Sequence, residues 1–241
     1  MRILLTGAAG GIGGRIARRL AEQSHRVFTA DRVLVAGFDG VVADLSEREG
    51  NRIAVDAAVE SLGGLDAVIP SAGMQVLAPV DKFPEDDWDR LLAVMLTSPF
   101  LLAKYAWPHL AASQQGRFVA IASAHSHVAG PRKAAYVSAK HGVLGLVKVL
   151  AADGAADRIG AVAVCPGYVE SPMTQRRVDD IRRLCQLDYA EAVRDFVAGT
   201  HLIPEMVPVD AVAECVELAL GPSGLALTGG TLTPDLGWTA H

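Results

Sequence analysis

Short apolar runs alternate along this chain with longer stretches in which apolar residues recur every three or four positions. That is the pattern of parallel strands joined by helical crossovers. Ile3 to Leu5, Val27 to Ala30, Val41 to Ala43, Ala67 to Ile69, Phe118 to Ile121 and Ile159 to Val164 read as strands, with a last one near Leu232. The predicted helices are one carrying Ile16, Ala17 and Leu20, a long one from Asp86 to about Leu110, and one from about Ala134 to Ala152. A helical segment reaching about His201 and a helix near Val209 to Leu220 follow. The pattern predicts an α/β fold, a doubly wound parallel sheet of about seven strands with helices on both faces. The long helix carries Trp88, Leu91, Leu92, Met95, Leu96, Phe100 and Leu102, an apolar surface too wide for a helix that only covers a sheet, so it is expected to face a subunit as well. The stretch between Asp31 and Asp44 is too short for an ordinary crossover helix. With no repeat or linker in view, residues 1–241 read as one domain.

Composition narrows the function. A hydrophobic share of 51% and 24 glycines fit a buried sheet with tight turns, and a net charge of −5 offers no broad basic surface for a nucleic acid. Cys165, Cys185 and Cys215 are odd in number and show no CxxC spacing, so they read as reduced, cytoplasmic cysteines rather than a disulfide frame or zinc site. No metal-ligand cluster is evident. No export signal and no uninterrupted apolar run long enough to span a bilayer is visible either.

Thr6-Gly7-Ala8-Ala9-Gly10-Gly11-Ile12-Gly13 follows a strand and opens a helix. Glycines there let backbone N–H groups and the positive helix end approach a pyrophosphate, which points to a dinucleotide. Asp31 ends the second strand, where a carboxylate accepts from the adenosine ribose and repels a 2′-phosphate. NAD is preferred over NADP on that ground, although adjacent Arg32 could hold a phosphate. Asp44, with Leu45, is placed to meet adenine.

Tyr136 and Lys140 are four residues apart on a helix, so phenol and ammonium share a face. An adjacent ammonium stabilises a phenolate, which suits acid–base work. Ser123 lies at the end of the strand feeding that helix, where its hydroxyl can point at the same substrate oxygen.

These motifs, with Ala72-Gly73 and Cys165-Pro166-Gly167 in the same order and spacing, resemble the short-chain dehydrogenase/reductase family over essentially the whole chain. The resemblance implies a Rossmann fold, with Tyr136 as catalytic acid/base, Ser123 steadying the substrate oxygen, and Lys140 lowering the tyrosine pKa while binding the nicotinamide ribose. Gly7, Gly11, Ile12, Gly13, Asp31, Ala72 and Gly73 would then hold the cofactor. Pro166, Gly167 and Val169 would border the nicotinamide, and Ser171 would contact its carboxamide. Within the family the likeness is to the enzymes that oxidise D-3-hydroxybutyrate, through Gly73-Met74-Gln75, the run from Ile121 to Val149, Cys165-Pro166-Gly167-Tyr168 and Gly237-Trp238-Thr239-Ala240. It implies that Gln75, His125 and Lys133 hold a substrate carboxylate, that residues of about 172–205 close over the substrate, and that the chain forms a homotetramer or dimer.

The chain departs from the family at several positions. Met95 stands where an asparagine is usual, Pro70 and Ser71 where two asparagines are, and Pro234 and Leu236 where valine and glycine are. Tyr168 and Arg177 replace a tryptophan and a glutamine of the hydroxybutyrate enzymes. Arg176, Arg182 and Arg183 are expected to pair with Asp179 and Asp180, leaving Arg177 for the substrate. Three readings follow: an oxidoreductase for a small anionic hydroxy or keto acid, a biosynthetic dehydrogenase for a larger substrate or one bearing phosphonate or another acid, and an NAD-binding protein without turnover.

Overall fold

The computed structural model describes residues 1–240. Its strands are β1 (Arg2–Thr6), β2 (Arg26–Asp31), β3 (Asp39–Val42), β4 (Ala67–Pro70), β5 (Arg117–Ile121), β6 (Gly160–Val164) and β7 (Thr231–Leu232). All pair in parallel in one sheet of order β3-β2-β1-β4-β5-β6-β7. The helices are α1 (Gly11–Glu22), α2 (Arg48–Leu62), α3 (Glu85–Leu92), α4 (Ser98–Ala112), α5 (Ala134–Asp153), α6 (Pro172–Cys185), α7 (Tyr189–Val197) and α8 (Val209–Leu220). The doubly wound sheet expected from the sequence is therefore present. Helix α2 is an addition, since the strand and helix reading above does not name it.

Successive side chains of a strand point to opposite faces, and here both faces are covered. Ile3 and Leu5 of β1 and Val162 and Val164 of β6 pack with Ile16 and Leu20 of α1 and Val212 and Val216 of α8. Leu4, Ala161 and Ala163 face the other way, against Val55 of α2, Leu102 and Leu110 of α4, and Val143 and Val147 of α5. A smaller cluster of Val178, Ala192, Val193, Val197 and Met206 holds α6 and α7 together over the end of the sheet.

The long helix is not uniform. A π turn over Ala93–Thr97 joins α3 to α4, and Met95 sits in it, almost fully buried. By length and composition the continuous stretch Glu85–Ala112 could cross a membrane, and 44% of its apolar window is buried in this structure. Leu91, Leu101 and Leu102 supply buried positions, while Trp88 and Phe100 reach the surface.

Two departures from the family pattern have local explanations. Pro70 ends β4, beyond the two pairs Ala67–Arg117 and Val68–Phe118 that join β4 to β5, and opposite Thr6 at the last pair of the β1–β4 ladder, so its missing N–H falls at the end of the strand. Leu236 takes φ +52, the left-handed region that suits the usual glycine, and its carbonyl accepts from the N–H groups of Leu202 and Ile203.

At the opposite end of the sheet, Asp66 accepts from the Arg2 backbone N–H at 2.7 Å, Arg2 Nη2 at 2.8 Å and Ser113 Oγ at 2.8 Å. Burial pushes this carboxyl up, but the hydrogen bonds from Arg2 and Ser113 outweigh it and hold it below the usual carboxylate range. Its contribution is present above the unfolded carboxylate pKa and is lost as pH falls through the lower folded value. Asp66→Asn should therefore lower unfolding stability by about 1–3 kcal/mol at neutral pH. In urea titrations the deficit should shrink below about pH 4.

Candidate active site

Each strand of the sheet's centre delivers a polar turn at its C-terminal end. Gly7 follows β1, Ser71 to Gly73 follow β4, Ser123 follows β5 and Pro166-Gly167 follows β6. In an open parallel sheet ligands bind at this edge, beside the point where strand order reverses, which here lies between β1 and β4.

One cavity, of about 330 Å³, is lined by Gly7, Asp31, Asp44, Leu45, Ala72 and Gly73, with Ala9, Gly10, Arg32, Ala43, Ser71, Met74, Arg90 and Val94. Gly7 has φ +74, and a Cβ there would lie 2.5 Å from the Ala72 nitrogen, so glycine alone fits. The N-terminus of α1 is capped by Gly10, whose lack of a side chain leaves the first helical N–H groups without a side-chain acceptor, and its first turn has no acidic residue. Those groups suit a phosphate. Asp31 accepts from Ala9 N–H at 3.0 Å through Oδ2 and from Arg32 N–H at 2.7 Å through Oδ1. Asp44 accepts from the N–H and hydroxyl of Ser46, and these bonds hold it below the usual carboxylate range. Gly11 and Gly13 line neither this cavity nor the next. A Cβ on Gly11 would meet Pro172, and one on Gly13 would meet the Gly7 carbonyl.

A second cavity, of about 140 Å³, brings together Ile12, Gln75, Ser123, His125, Lys133, Tyr136, Pro166, Gly167, Tyr168, Val169, Ser171 and Arg177. Residues separated by a hundred positions thus share one space. Ser123 Oγ accepts from His125 N–H at 3.1 Å, which leaves its own proton free to donate. Burial raises the Tyr136 pKa above its ordinary value, and a hydrogen bond with the Ser123 hydroxyl offsets only part of that rise. Lys140 lines neither cavity. It is buried behind Tyr136 with Nζ 5.8 Å from the ring centroid and donates to the Ile121 carbonyl at 2.8 Å. Burial lowers its pKa to about 8. Met95 packs against Gly73, and Ser71 N–H donates to Thr6 Oγ1.

His125 is buried, and burial with the neighbouring Lys133 charge lowers its pKa to about 4, so it is neutral. Its Nδ1 lies 3.2 Å from the Val128 carbonyl and its Nε2 2.7 Å from Lys133 Nζ, a pattern satisfied when Nδ1–H donates and Nε2 accepts. Lys133 also donates to the Tyr168 hydroxyl at 3.2 Å. Burial, then the nearby Arg177 charge, lowers its pKa to about 8. Arg177 Nη2 donates to Gln75 Oε1 at 2.9 Å, while Arg182 and Arg183 pair with Asp179 and Asp180 as the spacing suggests and Arg176, expected to join them, makes no ion pair among the described residues. Ser171 caps α6, exchanging hydrogen bonds with Thr174.

The sequence reading assigned no role to several neighbours of this cavity. Trp238 stacks on Tyr168 at 4.9 Å and meets His125 edge-on at 4.7 Å, and Phe196 lies 4.7 Å from Tyr168. His201 Nε2 accepts from Tyr168 N–H, its Nδ1 lies 2.7 Å from the Glu205 carbonyl, and burial lowers its pKa. A Cβ on Gly167 would lie 2.6 Å from that Nε2. Trp238 had a signal in the run Gly237 to Ala240. Phe196, Thr174 and His201 had none, because nothing in their spacing links them to β5.

The family model for short chain dehydrogenase matches residues 1–182. A D-beta-hydroxybutyrate dehydrogenase of Rhizobium meliloti is 31% identical over 99% of this chain and 98% of its own length. An uncharacterized oxidoreductase of Bacillus subtilis is 32% identical over the same shares. Among solved structures, a variant of actinorhodin polyketide ketoreductase with NADPH superposes with a TM-score of 0.89 at 30% identity, covering 99% of this chain and 97% of its own. A strand–glycine turn–helix, a Ser123–Tyr136–Lys140 constellation and full-length likeness converge on one conclusion: the chain belongs to the short-chain dehydrogenase family, oxidoreductases that use a nicotinamide cofactor.

Proposed function

We propose that this protein is an NAD-dependent dehydrogenase that interconverts a secondary alcohol and a ketone on a small anionic hydroxy or keto acid such as 3-hydroxybutyrate. The observation that carries the reading is the meeting of Ser123 and Tyr136 with two cationic side chains, Lys133 and Arg177, in a cavity lined by no carboxylate among the described residues. Likeness to the Rhizobium enzyme supports the same substrate class.

The residues of the first cavity suit a dinucleotide, with the free α1 N–H groups and Gly7 for its pyrophosphate, Asp31 for the adenosine ribose, and Asp44 and Leu45 at adenine. Val169, Ser171, Pro166 and Gly167 border the nicotinamide end. When bound, the cofactor accepts the hydride that the alcohol carbon gives up. Ser123 donates its free proton to the substrate oxygen and fixes its position. Tyr136 takes the hydroxyl proton during oxidation and returns it during reduction. Lys140, charged below about pH 8 and with Nζ 5.8 Å from the Tyr136 ring centroid, favours the phenolate. Gln75, His125 and Lys133 orient the acid end. Residues 172–205, carrying Arg177 and Phe196, cover the cavity, and the whole chain acts as one domain.

Exposed apolar positions on the α3–α4 and α5 surfaces, among them Trp88, Phe100 and Val149, support a homo-oligomer, either dimer or tetramer. Cysteines 165, 185 and 215 are free, which fits a reducing, cytoplasmic setting.

Tyr136→Phe should reduce kcat for 3-hydroxybutyrate oxidation, followed by NADH absorbance, by about 10²–10⁴-fold while NADH still binds. NAD should be preferred to NADP by at least about a hundredfold, and Asp31→Ala should narrow that ratio about tenfold or more by removing the repulsion and exposing Arg32 and Arg90 to a 2′-phosphate. Lys133 is charged below about pH 8, so calorimetric binding of butyrate should weaken above that pH, and Lys133→Met should flatten the dependence.

A further inference from the structure

The substrate cavity carries more positive charge than one carboxylate requires. Lys133 and Arg177 both line it, and no aspartate or glutamate does. Among the described residues neither cation makes an ion pair, since the acidic neighbours of Arg177 along α6, Asp179 and Asp180, are taken by Arg182 at 3.4 Å and Arg183 at 2.5 Å. Neutral groups hold both cations instead. Lys133 leans on His125 Nε2 and the Tyr168 hydroxyl, and Arg177 on Gln75 Oε1. His125 is neutral and adds no charge. The two cations come from different elements, Lys133 from the N-cap of α5 and Arg177 from α6, and both line one cavity of about 140 Å³. That space is small beside the roughly 300–1,000 Å³ of pockets for drug-sized ligands. Two like charges gathered in a partly dry cavity repel each other, and an anion of matching charge relieves the repulsion. A monoanion leaves one cation uncompensated.

We infer that the substrate carries a compact dianionic tail of the phosphonate or phosphate-monoester class, gripped by Lys133 and Arg177 together while Ser123 and Tyr136 hold its hydroxyl. The placement of the hydroxyl end rests on the alcohol–ketone reading above. The forked guanidinium N–H groups match two oxygens of a tetrahedral oxyanion, and the ammonium supplies a point charge to the third. Gln75, already accepting from Arg177, fixes the fork and keeps its own amide N–H groups free for the same anion.

Three non-reacting ligands with the same propyl chain test the tail separately from the chemistry: propylphosphonate as dianion, propanesulfonate as tetrahedral monoanion and butyrate as planar monoanion. Calorimetry on the intact protein with NAD, near pH 8 where an alkylphosphonate is in its second ionisation and Lys133 keeps part of its charge, should show propylphosphonate binding at least about tenfold more tightly than propanesulfonate. Arg177→Gln should bring that ratio to within about twofold. Equal binding of phosphonate and sulfonate, tighter binding of butyrate, or a preference that survives in Arg177→Gln would each overturn the inference. The matching hydroxy compounds, 2-hydroxypropylphosphonate, 2-hydroxypropanesulfonate and 3-hydroxybutyrate, are then assayed for NADH formation. A phosphonate preference in binding without turnover of any of the three supports the dianion site and counts against the alcohol–ketone reading. Turnover of 3-hydroxybutyrate without that preference leaves the reaction standing and removes the dianion.

Discussion

The burial of the parallel sheet on both faces is the constraint from which the rest follows. The central strands must be apolar on two sides, so chemistry can emerge only where those strands stop. In this chain the polar turns Gly7 to Gly13, Ser71 to Gly73, Ser123 to Ser126 and Pro166-Gly167 all lie at one edge because parallel strands end together. The crossover helices then bring Tyr136 and Lys140 back to the same edge at the first turns of α5. A functional site is thus a by-product of topology, and loop residues decide what it does.

The edge divides into two electrostatic halves. Around the first cavity, Asp31 and Asp44 are anchored by backbone or hydroxyl donors, with Arg32 and Arg90 nearby. Around the second cavity, Lys133 and Arg177 stand among neutral partners and the aromatic rings of Tyr168, Trp238 and Phe196. Low local polarity strengthens any charge pair formed there and penalises a cation left alone. This asymmetry orients a ligand before any specific contact is considered.

Positions that depart from the family pattern are absorbed in different ways. Pro70 falls where the β4–β5 ladder has already ended and at the last pair of the β1–β4 ladder, so the proline sits at a strand end rather than inside one. Leu236 keeps the glycine-like backbone and accepts the strain, with its carbonyl engaged by Leu202 and Ile203. Met95 fills the π turn with a buried thioether that packs toward Gly73, leaving Lys140 to the Ile121 carbonyl. Nothing in the structure explains why methionine replaced asparagine there.

Local chemistry made much of this protein legible in one dimension. Apolar periodicity gave the strands and most helices, glycine spacing marked the turn into α1, and the four-residue step from Tyr136 to Lys140 put both on one helical face. Helix α2 escaped because its apolar face is narrow and alanine-rich, with Ala54, Val55 and Ala58 as buried positions. Distances across the fold were not legible at all. That Arg177 meets Gln75, that Lys133 leans on His125, that Tyr168 sits between Trp238 and Phe196, and that Gly167 leaves room for His201 depend on which helices stack over which strand ends. Periodicity records the environment of each residue along its own element, whereas these contacts join elements far apart in the chain, so only the packed tertiary structure decided them.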